Sequence, residues 1–249
     1  MSTARRRKPP ERATLMALAA STPTAVPLVD HGHRDALDIG CGTSDTLETL
    51  ALPPLSLRIG VEADREAVRV AAKRRSNCAG RIRFVVADGH ALPFPARSFG
   101  IVISKVAMPY MNLPLALREV NRVLRPGGQV WMTLHPVRMA LMRMLSGLRA
   151  LAIRDVCFQT YTIVNGLLLH YWGRLIPFPL NRRKIESVQT LTGIARVLSA
   201  TGFGDVLYER RSRGPGYEDR DRMYGRIFAV AARKTELDMN ERAAPDERV

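Results

Sequence analysis

The sequence predicts an α/β protein built on one doubly wound, mostly parallel sheet of seven strands. Short apolar runs rich in Val and Ile alternate with longer amphipathic runs, which is typical of parallel sheets covered by helices. Gly, Pro and Asp punctuate the junctions between these runs. The 249 residues are 46% hydrophobic, enough for one sizeable core. We therefore expect a Rossmann-like sheet with a helical lid inserted after the fifth strand.

The first five strands are predicted from the first half of the chain. Pro53-Pro54 ends the first helix, and Asp64 caps the second. A sharp turn at 125–128 precedes the fifth strand. The predicted strands are 36–40, 57–62, 82–87, 99–104 and 129–134, and the predicted helices are 43–52, 64–77 and 113–124.

The alternation stops after His135-Pro136. The remaining elements are predicted as a lid insertion at 137–184, a helix at 189–200, and strands at 205–210 and 227–232, the last closing the sheet. The domain then spans 35–234. Residues 1–34 are expected to be a basic, mostly flexible extension, and residues 235–249 a disordered charged tail.

The net charge of +15 is unevenly distributed. The charges sum to about +4 in 1–34, about +4 in 35–136, about +7 in 137–184 and about zero in 185–249. The excess serves either solubility alone or an anionic partner, a membrane surface or a nucleic acid. Three scattered cysteines, Cys41, Cys78 and Cys157, argue against a disulfide framework or a zinc site and favour a cytoplasmic location.

A glycine turn follows the first predicted strand, in the stretch Asp38-Ile39-Gly40-Cys41-Gly42. The dinucleotide fingerprint would place a third glycine at Asp45, and no Gly-Lys-Ser/Thr follows to make a phosphate-binding loop. Two carboxylates, Asp38 and Asp45, would repel a pyrophosphate. The turn therefore favours a positively charged ligand without phosphates, such as an α-amino acid attached to a nucleoside.

Acidic residues stand at the ends of three predicted strands: Asp38, Glu62 and Asp88. Each alone could cap a helix or a turn. Together they should face the ligand crevice, which lies outside the carboxyl ends of the strands in an open α/β sheet. Glu62 is placed to accept hydrogen bonds from ribose hydroxyls, and Asp88 from the exocyclic amine of adenine.

These motifs resemble those of class I S-adenosylmethionine-dependent methyltransferases, of the broad type that includes ubiquinone-biosynthesis and other small-molecule enzymes. The matching segments are Leu37 to Gly42, Val61 to Asp64, Asp88 to Phe94 with Ser98-Phe99, and Leu117 to Gly128. The chain departs from the family pattern at Ser44, where a third glycine is usual, and at Gly100, where an Asp is usual.

The resemblance implies S-adenosyl-L-methionine as cofactor and assigns the site residue by residue. It places Asp38, Gly40 and Gly42 around the methionine moiety, Glu62 on the ribose, Asp88 and Gly89 near the adenine, and Ser104 at the lip of the fourth strand. Cys41 and Ala63, within the same turns, complete the predicted cofactor-binding set, and no metal is expected.

Methyl transfer needs an in-line nucleophile, and a general base where the acceptor must lose a proton. His135, at the end of the fifth strand, is the candidate base; the alternative is a packing or capping histidine before Pro136. Tyr110, after the fourth strand, is a candidate for lining the acceptor pocket; the alternative is an ordinary half-buried tyrosine.

The lid insertion begins with a predicted basic amphipathic helix. One side carries Val137, Ala140, Leu141, Met144, Leu145, Leu148 and Leu151, and the opposite half carries Arg138, Arg143, Arg149 and Arg154. Residues 156–173 lack charged side chains, but polar residues interrupt them, which argues against a membrane span. The insertion is either a lid packed on the sheet or an apolar lid that admits its acceptor at an anionic membrane surface.

The sequence thus predicts methyl transfer to a small, apolar or lipid-like acceptor. One alternative is an RNA methyltransferase, but aromatic residues are only 6% and no stacking pattern accompanies the basic residues. No Asn-Pro-Pro-Tyr-like tetrad follows the fourth strand, where Lys105 to Met108 stand instead. The other alternative is a non-catalytic, cofactor-binding partner subunit.

Overall fold

The computed structural model describes residues 35–42, 46–50, 52, 56–74, 82–105, 107–211 and 227–235. The predictions for the extension 1–34, for Ser44 and Asp45, and for the tail from 236 onward lie outside the described residues.

Seven strands form one sheet in the described part of the chain. They are β1 (Ala36–Ile39), β2 (Arg58–Glu62), β3 (Ile82–Val86), β4 (Phe99–Ser104), β5 (Leu124–Leu134), β6 (Phe203–Arg211) and β7 (Ile227–Lys234), in the order β3-β2-β1-β4-β5-β7-β6. The first five pair in parallel, and β7 pairs antiparallel with both of its neighbours. The predicted fold class, a seven-stranded, mostly parallel Rossmann-like sheet, is confirmed.

Six α-helices accompany the sheet in the described residues. They are α1 (Thr46–Thr49), α2 (Arg65–Arg74), α3 (Leu113–Val123), α4 (Val137–Arg149), α5 (Ile153–Trp172) and α6 (Leu191–Ala200). A short 3-10 turn, Met108–Tyr110, lies between β4 and α3. The helices on the two faces explain why the central strands β1 and β4 are buried along their whole length.

The last strand was expected from the sequence to close the sheet, but it does not lie at an edge. β7 lies between β5 and β6, so β6 is the edge strand. In β7, the residues Phe228 to Val230 are buried, which is consistent with a strand that is paired on both sides. Strand position depends on pairing across the sheet, which the local apolar pattern does not specify.

Strand β5 begins earlier than predicted, at Leu124, and includes the expected turn as an irregularity. Its pairing with β4 jumps from Phe99–Leu124 to Ile101–Gln129, so residues 125–128 bulge out of the ladder. Gly127 has a φ of 72°, which a glycine adopts without strain.

The insertion after β5 contains two helices, α4 and α5, joined by residues 150–152. The buried residues of α4 are Met139, Ala140 and Gly147, and only Ala140 among them belongs to the predicted apolar face. Leu141, Leu145 and Leu148, all on the predicted apolar face, are exposed. Among the described residues, no helix is both long enough and apolar enough to cross a membrane.

A two-residue clamp holds the loop after β3 on helix α3. The Glu119 carboxylate accepts a hydrogen bond from the Leu92 amide at 2.9 Å. Arg122 donates to Glu119 and also to the carbonyls of Leu92 and Phe94. Glu119 and Arg122 belong to the motif segment 117–128, so part of that motif serves to position this loop.

Replacement of Arg122 by Ala should open this clamp. The variant loses two backbone contacts and leaves Glu119 without its partner, so we expect the unfolding free energy to fall by about 1–2 kcal/mol. Thermal unfolding measures this as a Tm lowered by several degrees. Arg118→Ala, an exposed arginine on the same helix, is the control. Equal Tm values for the two variants would contradict the role of the clamp.

Candidate active site

The glycine turn after β1 has the backbone that its sequence requires. Gly40 and Gly42 have φ values of 68° and 50°, in the left-handed region. A Cβ on Gly40 would overlap the Cβ of Ala107, in the loop after β4, whereas a Cβ on Gly42 would meet open space. The turn therefore packs on one side against the protein and is open on the other.

Glu62, at the end of β2, ties the two neighbouring turns together. Its Oε2 accepts a hydrogen bond from the Gly42 amide at 3.0 Å, and its Oε1 accepts from the amides of Ala63 and Asp64. A carboxylate has about four lone-pair sites, so acceptor capacity remains for a hydroxyl group. This is compatible with the predicted contact to a ribose.

Asp38 lies beneath the glycine turn and is 1% exposed. Its Oδ1 has no hydrogen-bond partner among the described residues. Burial raises the pKa of Asp38 to about 7, Lys105 opposes the shift, and Glu62 adds to it. A buried carboxyl group with an oxygen unsatisfied suits a ligand that brings a positive charge, as the α-amino group of a methionine moiety does.

Asp88 organises the loop after β3. It accepts hydrogen bonds from the backbone amide of His90 and from its Nδ1, the latter at 2.7 Å. His90 Nε2 accepts from the amide of Asn112 at 2.8 Å, which assigns the proton to Nδ1. Partial burial raises the pKa of Asp88, but the His90 hydrogen bonds outweigh it and the pKa lies below its usual value. Asp88 is thus ionised, and its Oδ1 is the oxygen that accepts both hydrogen bonds from His90.

The remaining predicted cofactor residues occupy the same edge of the sheet. Gly89 is tightly packed, because a Cβ there would overlap the Met111 methyl group. Ser104 is fully buried and donates to the Ile39 carbonyl at 3.0 Å, which joins the ends of β1 and β4. Cys41 is buried and Ala63 is exposed beside Glu62. Direct contacts of these side chains with the cofactor stay predictions.

His135 follows β5 and is almost fully buried. Its backbone exchanges two hydrogen bonds with Gln189, in the segment before α6. Its Nδ1 lies 3.8 Å from Oε1 of Glu186, and the Tyr110 ring packs edge-on against it at 5.2 Å. The two sequence candidates for the acceptor side, His135 and Tyr110, are therefore in contact.

Glu186 and Arg143 belong to the same cluster and were missed by the sequence analysis. Glu186 is 4% exposed, and Arg143 of helix α4 lies 3.6 Å from its carboxylate. Burial raises the pKa of Glu186, with Arg143 and Lys184 opposing. Burial also raises the pKa of Tyr110, and the Glu186 charge adds to it. One feature of the sequence could have pointed to Glu186: it is the only acidic residue between Asp155 and Asp205.

The loop from Lys105 to Asn112 joins the cofactor side to the acceptor side. Ala107 packs against Gly40, and Asn112 is hydrogen-bonded to His90. Further along, the Pro109 carbonyl accepts from the Ser187 amide, next to Glu186. One short loop therefore contacts both halves of the site.

Part of the chain is similar to known methyltransferases. Residues 37–132 match the family described as "Methyltransferase domain". The chain is 38% identical over 118 residues to a malonyl-[acyl-carrier protein] O-methyltransferase of Halorhodospira halophila, covering 42% of this chain and 38% of that protein. It is 35% identical over 98 residues to a demethylmenaquinone methyltransferase of Staphylococcus carnosus, covering 37% and 39%. The chain spans about two fifths of the length of these two relatives.

Solved structures show the same fold. An S-adenosylmethionine-dependent methyltransferase of Methanosarcina mazei aligns with a TM-score of 0.52 and 16% identity, over 84% of this chain and 95% of that one. A methyltransferase of Haloferax volcanii, solved with the Trm112 methyltransferase activator, aligns with a TM-score of 0.56 and 16% identity, over 84% and 85%.

Residues 37–132 are thus similar to methyltransferase domains, and the described chain has the fold of S-adenosylmethionine-dependent methyltransferases, so S-adenosylmethionine is the cofactor that the comparisons support. The glycine turn, the Glu62 bridge and the unsatisfied Asp38 oxygen fit that cofactor. Within the described residues, no group of three or more His, Cys, Asp or Glu side chains could hold a metal ion.

Replacement of Gly40 by Ala should distort the turn. The new Cβ would overlap Ala107 and the residue would keep a strained positive φ, so we expect S-adenosylmethionine affinity to fall at least about tenfold. Isothermal titration measures this. Gly173→Ala is the matched control, because Gly173 has a φ of 62° but open space around it, at the end of α5. Unchanged affinity in Gly40→Ala would show that the close packing is not required.

Replacement of Asp38 by Asn should separate stability from cofactor binding. Because the folded-state pKa of Asp38 is raised from 3.8 to about 7, its contribution to stability is present at low pH and is lost as pH rises through about 7. Without cofactor, the variant should therefore gain Tm relative to the native chain between about pH 4 and pH 7.

The same variant should bind S-adenosylmethionine roughly ten- to a hundredfold more weakly, because the carboxylate that neutralises the amino group is gone. Thermal unfolding from acid to neutral pH, with and without cofactor, measures both effects. Asp205→Asn, at an exposed acid, is the control. A cofactor-induced Tm shift equal to that of the native chain would exclude Asp38 from the cofactor site.

Proposed function

We propose that this protein transfers the methyl group of S-adenosylmethionine to a small, apolar or lipid-like acceptor, with His135 as general base. The sulfonium of the cofactor supplies an activated methyl group, so the protein must mainly position the acceptor and accept its proton. The contact of His135 with Glu186 and Tyr110, at the sheet edge that also carries Asp38, is the observation that supports this proposal.

Glu186 and Arg143 act in this proposal as positioning residues. The Glu186 carboxylate, near Nδ1 of His135, favours the proton on that nitrogen and leaves Nε2 as the base. It also stabilises the imidazolium that forms when His135 takes the acceptor proton. Arg143 limits the cost of burying Glu186, because it brings the opposite charge.

An apolar acceptor is favoured by the exposed apolar face of helix α4, which begins beside this cluster, and by the name of one relative. Helix α4 starts two residues after His135 and carries Arg143, and its leucines 141, 145 and 148 are exposed. One relative is named for demethylmenaquinone and another for a malonyl group on an acyl-carrier protein, and since a malonyl group carries a carboxylate, only the first name supports an apolar acceptor. The acceptor of this chain is proposed to share the apolar character rather than the identity.

Methyl transfer from methyl-labelled S-adenosylmethionine to a panel of acceptors tests the function. The panel contains prenylated hydroquinones, long-chain carboxylic acids, and transfer RNA, which represents the alternative class of acceptor. We expect labelled product with an apolar acceptor. Label in the RNA alone, or tight cofactor binding without transfer to any acceptor, would contradict the proposal.

His135→Ala should lower the turnover of the accepted substrate by about 10²–10⁴-fold without changing cofactor affinity, because only proton transfer is lost. Glu186→Gln should give a smaller loss and shift the pH profile of kcat, as expected of a positioning residue. His170→Ala, a histidine that contacts Thr190 outside the cluster, is the control and should keep turnover. Native turnover in His135→Ala would remove His135 from the mechanism.

A further inference from the structure

The two helices α4 and α5 meet in a tip that is unusually apolar for an exposed turn. Leu148 is 52% exposed, Leu151 is 86% exposed and Ile153 is 75% exposed. Leu151 also has a φ of 52°, a conformation that is unfavourable for a leucine. Single exposed apolar side chains are common, but two leucines and one isoleucine within six residues form a patch that needs an explanation.

Most backbone amides of this tip already donate to carbonyls within the tip or the adjoining turns. The amides of 150, 151, 152 and 153 donate to carbonyls of 146, 148, 147 and 151, and those of 155 and 156 donate to the carbonyl of 152. A segment that enters an apolar medium must bring its polar groups paired, since unpaired ones cost several kcal/mol each. The tip can therefore leave water at little cost to its backbone.

Further exposed apolar side chains lie along each of the two helices. Exposed apolar side chains lie on the side of each helix away from its buried residues. They are Leu141 and Leu145 on α4, and Val164, Leu167 and Tyr171 on α5.

Positive charge surrounds this surface. Arg149 and Arg154 flank the apolar tip, and both are exposed. The charges of residues 137–184 sum to about +7, with Asp155 as the sole acid. An apolar wedge bordered by arginines matches the interface of an anionic bilayer, where acyl chains lie just below phosphate groups.

Other occupants fit this surface less well. A second copy of the chain would bring the same arginines to the same place, and like charges repel. Residues 236–249 carry a net negative charge but few large apolar side chains, so they cannot cover the leucines.

We infer that the α4–α5 hairpin docks on the surface of an anionic lipid membrane, with Leu148, Leu151 and Ile153 inserted and Arg149 and Arg154 at the phosphates. Docking would place α4, which starts next to His135 and contacts Glu186 through Arg143, at the lipid surface. The inference does not depend on methyl transfer, because lipid binding is measurable without cofactor or acceptor.

Vesicle co-sedimentation of the full-length chain tests the inference. We expect binding to phosphatidylcholine vesicles that contain phosphatidylglycerol, weaker binding as salt increases, and little binding to pure phosphatidylcholine. Leu151→Gln/Ile153→Gln should weaken binding at least about tenfold. Arg149→Gln/Arg154→Gln should weaken it roughly fivefold per arginine and reduce its salt dependence.

Matched controls keep this result specific. Leu115→Gln replaces an exposed leucine of α3, and Arg65→Gln/Arg83→Gln removes two exposed charges outside the hairpin. Both controls should bind anionic vesicles like the native chain. A cofactor-induced Tm shift in each variant confirms that it is folded.

Three outcomes would overturn the inference. They are no binding to anionic vesicles at low salt, equal binding to vesicles with and without phosphatidylglycerol, and hairpin variants that bind like the native chain. A dimer in solution that the Leu151→Gln/Ile153→Gln variant abolishes would also overturn it, because a second copy would then be the occupant.

Discussion

The site depends on a carboxyl group that is buried before any ligand arrives. Asp38 stands in the central strand β1, paired on both sides and closed off from water. Ionising it there is unfavourable, and only Lys105 among its neighbours favours the charged form. A cationic group of the ligand would offset this free-energy cost. Binding would therefore recover the stability that the buried carboxylate costs the ligand-free protein.

Most of the sheet could be predicted from the sequence, because each parallel strand carries a local signal. β4 was predicted with its observed limits, and β1, β2 and β3 within one residue at either end. The position of β7 could not be predicted in this way. Its partners, β5 and β6, are chosen by pairing across the sheet, and an antiparallel neighbour on each side leaves no distinct mark on Ile227–Lys234 itself.

The cofactor side was predictable for a related reason. Its residues sit in short turns directly after parallel strands, and the carboxyl ends of parallel strands all lie on the same side of the sheet, so the position of each turn in the sequence already places it beside the ligand crevice. Glu186 is different, since about 50 residues separate it from His135 in the sequence and it lies in a segment, 173–190, that has no helix or strand. The burial pattern of α4 was not predictable from its own sequence. The periodicity of α4 predicts that its leucines face inward. Instead, Arg143 faces the buried Glu186, and the leucines on the other side of the helix are exposed.

The position of β7 between β5 and β6 affects the order in which the strands can pair during synthesis. Strand β5 pairs on one edge with β4, which is synthesised shortly before it, and on the other with β7, about 100 residues later. While the chain emerges from the ribosome, β3, β2, β1, β4 and β5 can assemble, but β5 keeps an unpaired apolar edge. The half of the molecule that holds Asp38 and Glu62 can thus mature early. The strand that leads to His135 waits for residues 227–234, and until then it is the part of the nascent chain most exposed to wrong pairing.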